Sequence, residues 1–253
     1  EWSSRLVGIP QLANECMMNL PKATVTRRKD LAADLMLMWL APELPFTFKP
    51  GQYCTIGLEG IERAYSIASG PHEPALELFV EQVPEGPLTT RLWKLHKGDQ
   101  VSLRPRASGL FLLEDEYPNH LMVATVTGVV PFISIVRSYL HQNREGHHFY
   151  VLQGAGYCDE FAYREELERL AFSHPETITY VPTVSRPQEK RNQSWHGPTG
   201  RVNLIVEEFI RDFGLPQKDT LVYACGHPGM IEDVKARLIP RGFKVKEERF
   251  WKQ

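Results

Sequence analysis

Four cysteines in 253 residues, Cys16, Cys54, Cys158 and Cys225, lie far apart and never form a Cys-x-x-Cys pair. This spacing excludes a cysteine-based structural zinc site and the cysteine loop of a plant-type iron-sulfur centre. Long apolar runs are also missing. No stretch of about 18 apolar residues occurs, and the start lacks a basic segment followed by an apolar one, so neither a membrane span nor a secretory signal is expected and a cytoplasmic location follows. Excess charge of either sign is lacking as well. With 29 Lys and Arg against 31 Asp and Glu, the formal charge of −2 gives no overall field for nucleic acid or a membrane surface. The nine histidines show no ligand spacing and are read as non-ligands. Internal repeats and low-complexity segments are absent.

The remaining composition, 42% hydrophobic and 24% charged, is that of a globular protein, and the length suits two domains. In the first half, short apolar or alternating segments near 22–29, 34–40, 52–58, 63–68, 76–83 and 100–105 are separated by Pro-Gly, Ser-Gly-Pro, Pro-Glu-Gly-Pro and Lys-Gly-Asp. Six strands at this spacing predict a barrel. After the acidic, proline-containing stretch 114–118 the pattern changes. Strands at 121–126, 148–153, 177–184 and 220–225 alternate with helices at 131–142, 159–172, 203–212 and 228–238, which predicts a parallel sheet with helices on both faces. The expected division is 1–116 and 117–253.

Arg63-Ala64-Tyr65-Ser66 follows Pro50-Gly51-Gln52-Tyr53 by a dozen residues. A guanidinium that can grip a diphosphate, an aromatic ring and a hydroxyl are the side-chain types a flavin dinucleotide needs, although an edge strand with an exposed arginine reads the same way. On a pleated strand Arg63 and Tyr65 share a face, so a strand end must turn Ser66 back. Downstream, Leu78-Phe79-Val80 precedes Gly86-Pro87-Leu88-Thr89-Thr90, a turn and helix start suited to an anionic diphosphate or simply to a capped helix. In the second half, Thr127, Gly128 and Pro131 mark a strand-to-helix turn of the kind that receives nucleotide diphosphates, or an ordinary βα connection. Ser185 and Arg186 end a later strand, with Arg191 and Arg201 nearby. A hydroxyl and several guanidiniums suit a ribose 2′-phosphate, which favours NADPH over NADH, whereas a solvated basic loop has the same composition. Cys225-Gly226 ends the next strand, with Met230 in the helix that follows.

Taken in this order, these motifs closely resemble the ferredoxin-NADP reductase family, in its compact bacterial type, over nearly the whole chain. The resemblance implies a six-stranded antiparallel β-barrel holding FAD and a C-terminal α/β Rossmann-like parallel sheet holding NADP(H), with hydride passing between nicotinamide and flavin and single electrons leaving to ferredoxin or flavodoxin. It assigns Arg63, Ala64, Tyr65, Ser66, Leu78, Phe79, Val80, Gly86, Leu88, Thr89, Thr90, Phe250 and Trp251 to FAD. Thr127, Gly128, Pro131, Ser185, Arg186, Arg191, Arg201, Gly226 and Met230 go to NADP, and catalytic roles go to Ser66, Cys225 and Glu248. The acidic-aromatic end, Glu248-Arg249-Phe250-Trp251, is expected to border the flavin. An acidic electron carrier would be steered by cations at Arg27-Arg28-Lys29, Lys244, Lys246, Arg249 and Lys252. The protein is expected to be a monomer. Two other readings share the motifs: a reductase component serving an oxygenase or reducing free flavin, and a non-catalytic subunit of an electron-transfer complex. Three departures from the family stand out: Val126 where glycine is usual, Gly156 where many bacterial relatives carry arginine, and Lys252-Gln253 extending past the aromatic pair.

Overall fold

The computed structural model describes residues 20–249. Six strands, β1 (Lys22–Ala32), β2 (Leu35–Pro42), β3 (Tyr53–Leu58), β4 (Ile61–Ser66), β5 (Leu76–Glu81) and β6 (Gln100–Leu103), form an antiparallel sheet in the order β4-β3-β6-β1-β2-β5. The sheet curls until its two edges meet, where Ala68 N–H donates to Glu77 O at 2.8 Å. A one-turn helix, α1 (Thr89–Leu92), plugs the interior with Leu88 and Leu92.

The second sheet is wholly parallel. Its strands, β7 (Asn119–Thr125), β8 (His148–Ala155), β9 (Ile178–Val184), β10 (Thr220–Cys225) and β11 (Lys244–Glu248), lie in the order β11-β10-β7-β8-β9. The connections carry α2 (Val130–His141), α3 (Arg164–Ser173), α4 (Val202–Asp212) and α5 (Pro228–Leu238). All the strands and helices expected from the pattern are present, within a few residues. The helix expected over 159–172 is split, with a 3-10 turn at Cys158–Glu160 before α3. Strand β11 was not foreseen: Lys-Val-Lys-Glu-Glu has little apolar content and pairs only along β10. No helix among the described residues is long and apolar enough to cross a membrane.

Period-two alternation in β2 and β5 joins the two layers. Met36, Met38 and Leu40 of β2, with Leu76, Leu78 and Val80 of β5, point into the barrel interior. The opposite faces, with Leu35, Leu37 and Phe79, pack on Phe132, Ile135 and Val136 of α2 and on Tyr163, so one apolar core runs through both halves. Glu77 shares that outer face of β5 and is 4% exposed. Its carboxylate would be costly there without a partner, and Arg137 of α2 supplies one at 2.7 Å while gripping Glu166 of α3 through two nitrogens at 2.7 Å. The Ser134 hydroxyl donates to Ser69 O at 2.8 Å beside it.

Arg137→Ala leaves Glu77 buried without its cation, and a loss of about 3–5 kcal/mol is expected. Urea unfolding of the variant checks this; a loss below about 1 kcal/mol would mean that water reaches Glu77 and the pair does not hold the two layers together.

Candidate functional site

The parallel sheet reverses strand order between β7 and β10, since β8 and β9 extend one way and β11 the other. Ligands in open α/β sheets bind beyond the carboxyl ends of strands at such a reversal. Here the chain leaves β7 through a 3-10 turn, Val126–Val129, and leaves β10 at Gly226. The two exits touch. A Cβ on Gly128 would stand 2.2 Å from Cys225 O, and one on Gly226, at φ +126°, would stand 2.3 Å from Thr125 Oγ1, so both positions require glycine. Thr125 Oγ1 accepts from His227 N–H at 2.8 Å and ties the loops together. Val126 adopts φ +42°, a left-handed conformation that is strained for a β-branched residue.

Two cavities open at this junction. The first, about 280 Å³, is walled by Arg63, Ala64, Tyr65 and Ser66 of β4, Phe79 of β5, the Gly86–Thr89 turn, and Thr127 and Val130 from the second half. Tyr65 is largely buried, and burial holds its hydroxyl well above the usual ionisation range. Ser66, at the strand end, is 7% exposed and its hydroxyl has no hydrogen-bond partner. The second cavity, about 950 Å³, is bounded by Thr125–Thr127, Gly154–Gly156, Ser185, Gly200–Leu204 and Gly226–Met230. Arg186 and Arg191 flank the Tyr157 ring nearby, with Arg191 3.9 Å from its centroid and held by Asp159 at 2.6 Å.

Cys225, Glu248 and Ser66 are brought together by strand register. Cys225 pairs with Glu248 across β10 and β11, and Ser66 pairs with Tyr53 across β3 and β4. Tyr53 and Glu248 both border the space over Gly109, 3.1 and 3.3 Å from where a Cβ would stand. Cys225 is fully buried, and burial, reinforced by Glu248, pushes its thiol far above the usual range, so it stays protonated. Burial likewise raises Glu248 from 4.5 to about 7. The Ser66 hydroxyl lies near enough to offset this slightly, yet the two make no hydrogen bond of ordinary geometry.

Several expected contacts are placed elsewhere. Leu78 and Val80 face the barrel interior, because alternation turns only Phe79 outward. Thr90 is exposed with its hydroxyl on Gly86 O, and neither threonine caps α1; the Thr89 hydroxyl reaches back to Val83 O at 3.3 Å instead. Pro131 is buried in the first turn of α2, and Gly128 packs on the Cys225–Gly226 peptide, so neither lines a cavity. Arg186 and Arg191 stand at the Tyr157 rim outside the second cavity wall. Phe250 and Trp251 lie outside the described residues. Missed residues include Glu81, which lines both cavities, and Asn203 and Asp233 in the second. Alternation along β5 carried the signal for Glu81, since it shares a face with Glu77 and Phe79.

Because the folded-state value of Glu248 lies above its ordinary one, folding takes up a proton between these values. The side chain therefore costs stability increasingly as pH rises from 4.5 to about 7, and no further above that. Glu248→Gln should raise the thermal midpoint of the apoprotein well above pH 7 and leave it unchanged below pH 4.5; an equal effect at both extremes would show that ionisation is not involved.

The segment 122–236 matches the model of the oxidoreductase NAD-binding domain family. The chain is 34% identical over 218 residues to a ferredoxin-NADP reductase of Pseudomonas aeruginosa, covering 78% of this chain and 81% of that protein. It is 32% identical to a flavodoxin/ferredoxin-NADP reductase of Escherichia coli, covering 77% and 79%. In fold it is similar to the crystal structure of a ferredoxin-NADP reductase from Neisseria gonorrhoeae with bound FAD and NADP, with a TM-score of 0.80 at 22% identity over 91% of this chain and 98% of that one. A curled antiparallel sheet, a parallel sheet reversing at β7 and β10, and this degree of likeness along most of the chain place the protein in the ferredoxin-NADP reductase family.

Proposed function

We propose that the protein is an FAD-dependent ferredoxin/flavodoxin-NADP(+) reductase, exchanging hydride with NADP(H) and single electrons with ferredoxin or flavodoxin, with residues 1–116 holding FAD and 117–253 holding NADP. The observation that carries this reading is the buried, partnerless Ser66 hydroxyl in the first cavity, at the border where Glu248 and Cys225 approach from the parallel sheet. A hydroxyl kept dry without a partner suits a ligand atom that supplies one. The first cavity fits FAD by its donors: the exposed Arg63 guanidinium can reach a diphosphate, Tyr65 and Phe79 offer apolar and aromatic wall, and the Gly86 turn gives backbone room. The second fits NADP through Ser185 and Arg201, with Tyr157, Arg186 and Arg191 beside it for the adenosine end.

Bound FAD supplies a carrier that takes two electrons as hydride and releases them one at a time. The chain's own residues position and protect that exchange. Cys225, held neutral, is an apolar, polarisable surface for the nicotinamide and no nucleophile. Ser66 can hydrogen-bond at the reacting edge of the flavin, and Glu248, raised to about 7, can hold or release a proton there near neutrality.

Part of the basic surface expected to steer an acidic carrier is committed internally. Arg28 binds Asp30 and two backbone carbonyls, Lys246 binds Glu114, and Arg249 binds Glu247 and Glu232. Lys252 lies outside the described residues. Arg27, Lys29, Lys94 and Lys97 are exposed on neighbouring segments, with Arg27 and Lys97 lining one surface cavity. The carrier is proposed to dock on this side as a one-to-one complex with a monomeric reductase.

The purified protein should be yellow, or become so when given FAD, and its visible absorbance should bleach faster with NADPH than with NADH. Failure to retain added FAD would overturn the proposal. The rate of carrier reduction should fall steeply between about 0.01 and 0.15 M ionic strength, as the screening length shortens from about 30 to 8 Å. A flat salt profile would remove electrostatic steering from the account.

A further inference from the structure

Glu81 is the last residue of β5, and alternation puts it on the same face as Phe79. Its side chain and that of Thr127 contribute to the walls of both cavities, so a charge on Glu81 acts on ligands in either one. Among the described residues nothing neutralises that charge. The Glu81 carboxylate makes no hydrogen bond or ion pair with them, and the charges acting on it are two further acids, Asp34 in the turn between β1 and β2 and Glu160 after β8. Glu160 is itself fixed, accepting from Gly156 N–H at 2.9 Å and Tyr157 N–H at 3.1 Å. Arg63 in the first cavity, and Arg201 and Asp233 in the second, line the same walls, but none of them is among the charges that set the ionisation of Glu81.

We propose that Glu81 couples nucleotide binding to proton uptake: ionised, it repels the diphosphate of a dinucleotide in the second cavity, and full affinity requires its protonation from solvent. This rests on reading the second cavity as the NADP site. Partial burial and the two acids already favour the protonated form in the free protein. A dinucleotide diphosphate adds more negative charge and favours it further, so binding takes up a proton wherever free Glu81 is ionised. Affinity should therefore fall as pH rises. A carboxylate that instead accepted a ribose hydroxyl would strengthen binding when ionised, which is the opposite sign.

The test is titration of FAD-loaded wild-type and Glu81→Gln protein with NADP+, read by flavin difference absorbance from about pH 5 to 9. The 2′-phosphate titrates in both proteins, so the ratio of their affinities isolates Glu81. E81Q is expected to bind about three- to tenfold more tightly at the alkaline end and equally at the acid end. A ratio that does not change with pH, or weaker binding by E81Q at high pH, would overturn the inference. Should E81Q fail to fold, calorimetry of wild type in two buffers of different ionisation enthalpy decides the matter: net proton uptake above neutrality supports the inference, and none refutes it. If NADP+ binds neither protein at any pH, it is the NADP reading of the cavity that falls, and this inference with it.

Discussion

The site depends on one close backbone approach, that of Gly128 to the Cys225–Gly226 peptide. Any side chain at Gly128 would force apart the exits of β7 and β10, and with them the mouth where the parallel sheet reverses. Because β11 pairs in register with β10, the position of Cys225 also fixes that of Glu248, and the Leu35, Leu37 and Phe79 face of the barrel brings Ser66 to the same border. The strain at Val126 belongs to this constraint. The turn that lets Gly128 approach needs a left-handed residue, and the chain tolerates valine there because it packs against the shared core and against the Ala155, Phe161 and Val184 cluster.

The legible part of the structure is what periodicity and punctuation encode. Alternation in β1 through β6 and the later βα repeat each report which face is buried, and burial is what a hydrophobic pattern records. The misplaced residues follow from the same physics. Leu78 and Val80 fall within a motif that names consecutive residues, yet a strand presents only every second one, so only Phe79 faces the cavity. Pro131 starts a helix and is buried by doing so. Strand β11 escaped notice because its stability comes from pairing with β10 rather than from an apolar face of its own. The reason Gly128 must be glycine, a contact about a hundred residues away in sequence, is written in no local pattern at all.

Two carboxylates near the junction, Glu248 and Glu81, are held toward their protonated forms, and the causes differ. Burial dominates at Glu248, which stands beside a neutral thiol and a hydroxyl and has no acidic neighbour among the groups that set its ionisation. At Glu81 burial is joined by the charges of Asp34 and Glu160. Desolvation is intrinsic to the fold and changes only when water enters, so Glu248 keeps a value suited to proton exchange near neutrality. Repulsion between like charges responds to whatever else binds. The same fold can thus place one acid where its ionisation is fixed by the protein and another where it is set by the ligand: Glu77 and Glu81 share one face of β5, but Glu77 lies against α2 and is tied to Arg137, whereas Glu81 ends the strand at the two cavities.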